Sequence, residues 1–178
     1  MFEEDLPNGK QTWYFDNGNV SSITFWGNGM RNGKVVLYYP NGDLKEEKVY
    51  NKNKLVGEQI GYYEDGSTEY IIKYLDGEEL SELTEYYRSE KTKYVVSLVN
   101  EKSNGKQIGY FESGKINYER YWKDGKKHGK EIGYYENGNI RIKVNYSNGK
   151  KEGEEIFYFD SGEIDSIKHY RNGVMEKP

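Results

Sequence analysis

Hydrophobic side chains recur along this chain in short extended runs, and no segment sustains the 3.6-residue period of a helix face. The runs end in two adjacent aromatics, as in Tyr38-Tyr39, Tyr62-Tyr63 and Tyr134-Tyr135, and Gly-containing turns separate them. Counted from Gly9, the pattern returns every 24 residues, at Gly33, Gly57, Ser81, Gly105, Gly129 and Gly153. Seven copies follow without insertion: 9–32, 33–56, 57–80, 81–104, 105–128, 129–152 and 153–176. Residues 1–8 are a lead-in and 177–178 a tail. Position 6 of the unit is always Tyr: Tyr14, Tyr38, Tyr62, Tyr86, Tyr110, Tyr134 and Tyr158. Position 7 is always aromatic: Phe15, Tyr39, Tyr63, Tyr87, Phe111, Tyr135 and Phe159. Position 18 is aromatic in every copy but the fourth, which has Leu98.

Each unit reads as a β-hairpin. Positions 2–7 have strand composition. Positions 8–10, as in Pro40-Asn41-Gly42, form a tight turn, because Asn-Gly accepts positive φ. Positions 11–19 form the second strand, and a second turn at 20–21, as in Asn148-Gly149, leads to the next copy. Seven hairpins predict about fourteen strands in an all-β, elongated single antiparallel sheet, a rod or gutter with almost no helix. Side-chain alternation places positions 4, 6, 12 and 18 on one apolar face, with the position 6 tyrosines as core. Glycine at position 5 (Gly61, Gly109, Gly133) leaves room for a neighbouring ring over the backbone.

Composition supports this and removes other classes. The chain has 178 residues, 34% hydrophobic, with 21 Gly, 19 Tyr and no Cys. So low an apolar share suggests disorder, but rings burying ~150–250 Å² each supply the missing area. Without Cys there is no disulfide framework, zinc ribbon or thiol nucleophile. The start, Met1-Phe2-Glu3-Glu4-Asp5, lacks a signal peptide's basic and apolar regions, so a cytoplasmic location is expected.

The unit resembles the bacterial variant of the MORN repeat. Its motif, Gly-x-x-x-x-Tyr-[Tyr/Phe]-x-x-Gly with a later aromatic and a turn Gly, appears as Gly129-Lys130-Glu131-Ile132-Gly133-Tyr134-Tyr135-Glu136-Asn137-Gly138, then Tyr146 and Gly149. The resemblance covers residues 9–176. It implies an elongated antiparallel structure that interacts rather than catalyses. Bacterial members are often grouped as antitoxins or immunity proteins of the YwqK type; eukaryotic ones are associated with membranes and scaffolds. The fourth copy departs from the motif: Ser81, Glu90 and Glu101 replace glycines, and its turns are expected to take another shape.

No catalytic constellation is visible, and no cofactor or metal is expected. His128 and His169 occupy unrelated repeat positions. Charge is more telling. Residues 58–90 carry 2 basic and 10 acidic groups, net −8; residues 91–151 carry 14 and 6, net +8. The acidic band, through Glu78, Glu79, Glu82 and Glu85, would attract a basic protein such as a toxin domain. The position 7 ladder (Phe15, Tyr39, Tyr63, Tyr87, Phe111, Tyr135, Phe159) is a second candidate surface, set against stacking within the sheet. The basic band, with Lys123, Lys126, Lys127, Lys130, Lys150 and Lys151, is a candidate for anionic lipid, giving a membrane-associated scaffold as the alternative. Nucleic acid is not the expected main partner at a pI near 5.4. The terminal strands are exposed edges, so a monomer or weak edge-to-edge association is expected.

Overall fold

A computed structural model describes residues 6–76 and 80–176. The described residues contain no helix. The strands are β1 Gly9–Tyr14, β2 Val20–Gly27, β3 Met30–Tyr38, β4 Leu44–Asn51, β5 Lys54–Tyr62, β6 Thr68–Asp76, β7 Leu80–Tyr86, β8 Thr92–Val99, β9 Lys102–Tyr110, β10 Ile116–Lys123, β11 Lys126–Tyr134, β12 Ile140–Ser147, β13 Lys150–Tyr158, β14 Ile164–Arg171 and β15 Val174–Met175. The count exceeds fourteen because Val174–Met175 begins the strand that an eighth copy would complete. The chain divides into two units, Met1–Glu90 and Lys91–Pro178, and the division falls inside the fourth copy. The first holds β1–β7 and the second β8–β15. In each, strands pair antiparallel with their sequence neighbours in an open sheet.

Two kinds of turn build the meander. At positions 8–10 the position 7 amide donates to the position 11 carbonyl, and the position 10 amide donates back to position 7, as in Tyr39→Asp43 at 2.8 Å and Gly42→Tyr39 at 2.9 Å. Only position 10 has positive φ there, the three-residue hairpin with one left-handed residue. At positions 20–21 both residues are left-handed, as in Asn148 (φ 49°) and Gly149 (φ 82°), the pattern of a type I′ turn.

The strands depart from simple alternation. Position 5 pairs with 14 but position 6 pairs with 12, as in Leu37↔Glu46 and Tyr38↔Leu44. Position 13 is therefore an extra residue, a β-bulge, and it inverts the alternation of everything after it. This corrects the expected apolar face. Positions 4, 6 and 12 do share a face with 15 and 17. Position 18 lies on the opposite one, with 1, 3, 5, 14 and 16. A second correction concerns position 1. Strands begin at position 22 of the preceding copy, so Gly33, Gly57, Gly105, Gly129 and Gly153 sit inside strands, at irregularities where φ is positive, rather than at turns.

In each unit the core lies on the 3/16 face. Val35, Tyr50, Val96, Leu98 and Val144 are its buried apolar residues, and the buried polar groups Thr24, Ser81, Gln107 and Glu155 share that face. The position 6 tyrosines are not core. They lie on the 4/15 face, half-buried from Tyr38 to Tyr158, and Tyr14 is 63% exposed. The expected covering by a ring holds at Gly61 and Gly109 but not at Gly133, where Ile142 takes the ring's place. Tyr70 lies across from Gly61 and Tyr118 across from Gly109, with ring atoms 2.2 Å from where a Cβ would stand.

The fourth copy keeps its turns. Glu90 (φ 59°), Asn100 (φ 48°) and Glu101 (φ 62°) take the left-handed values held by Gly and Asn elsewhere, and the Glu90 amide donates to Tyr87 O at 2.9 Å as Gly42 does to Tyr39. The expected change of shape is not found there. What changes is the ladder. At buried Ser81, pairing continues through Lys73↔Glu82 and Tyr74↔Ser81, and the register shift comes one step later, between Tyr74 and Asp76.

Candidate binding surfaces

The position 7 rings stitch one hairpin to the next. The Tyr39 hydroxyl donates to Tyr62 O at 2.8 Å, Tyr63 to Tyr86 O at 3.0 Å and Tyr135 to Tyr158 O at 2.7 Å. Phe15, Tyr87 and Phe111 are half-buried in the same column. Phe159, in the last copy, is 51% exposed. The loops add further stitches. Asn17 and Asn19 both donate to Pro40 O, and Asn137 and Asn139 both donate to Asp160 O. Arg88 bonds Asp65 at 2.7 Å and covers the Tyr63 ring. Hydrogen bonds from the Ser67 hydroxyl and amide, joined by Arg88, hold the Asp65 carboxyl down at about 2.

Of the four acidic candidates two are described, and they do not share a face. Glu78 and Glu79 lie outside the described residues. Glu82 and Glu85 are three apart on β7 and so point to opposite faces. Glu82 stands across from Lys73, and Glu85 across from Tyr70.

The basic residues separate into two groups. Lys127 pairs with Glu131 at 2.7 Å and lies over the Tyr146 ring; Lys151 pairs with buried Glu155 and lies over Tyr170. Both are occupied on the 3/16 face. Lys123, Lys126, Lys130 and Lys150 are exposed. Along the turn edge of the second unit, Lys102 lies against Gly125, Lys126 against Gly149 and Lys150 against Gly173, one lysine per copy.

Two arrangements escaped the sequence reading. On the 3/16 face, Glu46 accepts from Gln59 at 2.6 Å, Tyr70 at 2.6 Å and Lys48 at 2.8 Å. Burial alone would raise this carboxyl, but the bonds from Lys48, Tyr70 and Gln59 outweigh it and hold the group below its ordinary value. Burial, then Glu46, pushes the Tyr70 phenol up. On the 4/15 face, Lys34 Nζ lies 2.5 Å from Glu47 Oε1, and Tyr62 donates to Glu47 Oε2 at 3.5 Å. Lys106, Glu119 and Tyr134 repeat this at 2.6 and 3.3 Å. Columns 2, 15 and the next 6 carry the signal, but only once the bulge at 13 is known.

Among the described residues no group of three or more His, Asp or Glu is placed to hold a metal ion. Among the described residues no helix is long and apolar enough to cross a membrane. His128 and His169 are exposed, on β11 and β14.

Three solved structures are similar in part. A variant of S. aureus TarM in complex with Fondaparinux, alpha-GlcNAc-glycerol and UDP is 12% identical over 54% of this chain and 19% of its own, with a TM-score of 0.40. Another TarM structure is 13% identical over 53% and 19%, with a TM-score of 0.39. A GtfA/B complex is 9% identical over 56% and 19%, with a TM-score of 0.35. The chain thus spans about a fifth of these relatives, and likeness at this level carries no argument about function. No curated protein matches the chain. Residues 7–28, 31–52, 55–76, 103–124, 127–148 and 151–172 each match the family model described as MORN repeat variant, which together is well over half of the sequence. The matched stretches pass over the fourth copy, where the glycines are missing, and on their strength the chain belongs to the MORN repeat variant family.

Proposed function

We propose that this chain is a non-catalytic repeat scaffold that binds protein, and that its partner is a toxin which it occludes as an immunity or antitoxin protein. The observation that carries the binding reading is the 4/15 face. Its tyrosines at position 6 and aliphatics at positions 4 and 12 stay half exposed, while the core gathers on the other face. Rings on a rigid backbone, partly apolar and partly open, have the composition of interface anchors. The immunity reading is supported by the resemblance and by the acidity of the first unit, whose residues 1–90 hold 17 acidic and 9 basic groups. Such a surplus speeds encounter with a basic partner. The test is capture of the products of neighbouring genes by the full chain, followed by charge reversal at Glu78, Glu79, Glu82 and Glu85. Equal capture by the reversed variant sinks the acidic mechanism.

The stack of Lys102, Lys126 and Lys150 favours a second reading, a scaffold that touches anionic lipid along one edge. Flotation with phosphatidylserine vesicles decides it. Absence of binding at low salt removes this alternative.

A further inference from the structure

The sixth copy breaks the arrangement found at Lys34–Glu47–Tyr62 and Lys106–Glu119–Tyr134. There the position 15 carboxylate joins a lysine on one neighbouring strand to a tyrosine on the other. It stands between two position 4 side chains: Glu47 between Val36 and Ile60, Glu119 between Ile108 and Ile132. In the sixth copy the three residues are Lys130, Lys143 and Tyr158. Lys143 stands between Ile132 and Ile156, the same register, so a cation replaces the carboxylate. Among the described residues the Lys143 side chain meets only the Tyr158 ring, 5.2 Å away, and Lys130 has no ion pair.

A groove opens at this place. A depression of about 390 Å³ has Lys130, Lys143, Glu131, Glu154, Ile132 and Ile156 among its lining residues. Lys143 also borders a second depression, of about 420 Å³, with Ile140 and Tyr158 on its walls. The aliphatic residues give it apolar walls. Of its two carboxylates Glu131 is already paired with Lys127, which leaves Lys130 and Lys143 facing Glu154, a residue with no ion pair among the described residues. The site keeps the lysine and the tyrosine that hold a carboxylate elsewhere in the molecule, and lacks the carboxylate.

We propose that this groove binds an acidic segment of a protein partner. A Glu, Asp or C-terminal carboxylate from the partner takes the place that Glu47 and Glu119 fill internally, and apolar side chains beside it rest on Ile132, Ile156 and Ile140. The proposal deepens the protein-binding reading and rests on it, but names the chemistry and the place. A carboxylate is the group because carboxylates fill the two equivalent places. A peptide is the source because apolar walls flank the charge on both sides, which an isolated ion does not use.

The experiment uses the full chain and a fluorescein-labelled peptide of alternating Glu and Leu, with binding read by anisotropy at low salt. Saturable one-to-one binding is expected. Lys143→Glu restores the internal arrangement, so it is expected to weaken the peptide at least tenfold without lowering the melting temperature. Lys130→Gln weakens it several-fold, and Glu154→Gln strengthens it by removing a like charge. A peptide of alternating Gln and Leu binds at least tenfold more weakly. Unchanged binding in Lys143→Glu, equal binding of the Gln peptide, or displacement of the Glu peptide by millimolar inorganic phosphate or by phosphatidylserine vesicles overturns the proposal. A partner captured equally by wild type and Lys143→Glu overturns the groove alone and leaves the scaffold reading standing.

Discussion

Tyr70 and Tyr118 lie flat on glycine backbone, and this contact sets how little change the sheet tolerates at single residues. A Cβ at Gly61 or Gly109 would stand 2.2 Å from ring carbons, whereas at Gly133 the nearest atom is an Ile142 methyl at 2.8 Å. Gly61→Ala and Gly109→Ala are therefore expected to destabilise by about 1–3 kcal/mol through overpacking, and Gly133→Ala by less. Urea midpoints measure this; equal shifts at all three sites would count against the ring contact. The Glu46 cluster predicts a pH dependence. Its carboxyl is held below the ordinary 4.5, so the folded state binds the proton less readily than the unfolded one. The contribution is full above that value and is lost as pH falls through the lower, folded one. The stability gap between wild type and Glu46→Gln should narrow on acidification below about pH 4.5. A gap that widens there contradicts the assignment. The glycine-ring contact was legible, because a glycine in a strand leaves a space and the chain is rich in rings. The Glu46 cluster was not. Its donors come from three strands, and their pairing depends on a register that residue types alone do not specify.

At the scale of the hairpin, one residue at position 13 decides which side chains meet. Without the bulge, Trp26, Tyr50 and Trp122 at position 18 would share a face with the position 6 tyrosines; with it they lie on the opposite face. The repeat, both turns and the strand count to within one short strand were legible from the spacing of Gly and Tyr. The faces beyond the bulge were not, because position 13 holds Ser21, Lys45, Glu69 and Arg141 alike, and no residue type marks it. The fourth copy shows the turn geometry prevailing over residue preference. Glu90 and Glu101 adopt φ of 59° and 62°, which costs an L-residue roughly 1–2 kcal/mol relative to right-handed backbone. Glu90→Gly and Glu101→Gly are each expected to stabilise by about 0.5–1 kcal/mol once glycine's greater unfolded-state entropy is subtracted. Chemical denaturation of the two variants checks this, and a loss of stability in both would mean that the glutamate side chains hold the turns in place.

Across the molecule, each unit is a sheet with its core on one face and an open surface on the other. Stability in such arrays is a sum of neighbouring contacts, so the outermost strands hold least. Trp13 and Tyr14 on β1 are 57% and 63% exposed, and Ile164 on β14 is 54% exposed. Amide exchange in β1 is expected to be at least tenfold faster than in β4, and in β14 faster than in β12. Uniform protection would contradict additive stability. Charge also divides by unit. Residues 1–90 are net −8, whereas residues 91–178, with 17 basic and 13 acidic groups, are net +4. The bands were legible by counting, but not which face each charge takes: Glu82 and Glu85 point opposite ways. The groove at Lys143 was hidden for the same reason as the faces. The proposed surface for protein binding is the 4/15 face. Hydroxyl-radical footprinting of the full chain, free and in complex with a captured partner, tests it most directly. Loss of reactivity at Tyr38, Tyr62, Tyr134 or Tyr158, with Tyr74, Tyr146 and Tyr170 unchanged, is the predicted result. Protection confined to the 3/16 rings, or to neither face, would contradict it.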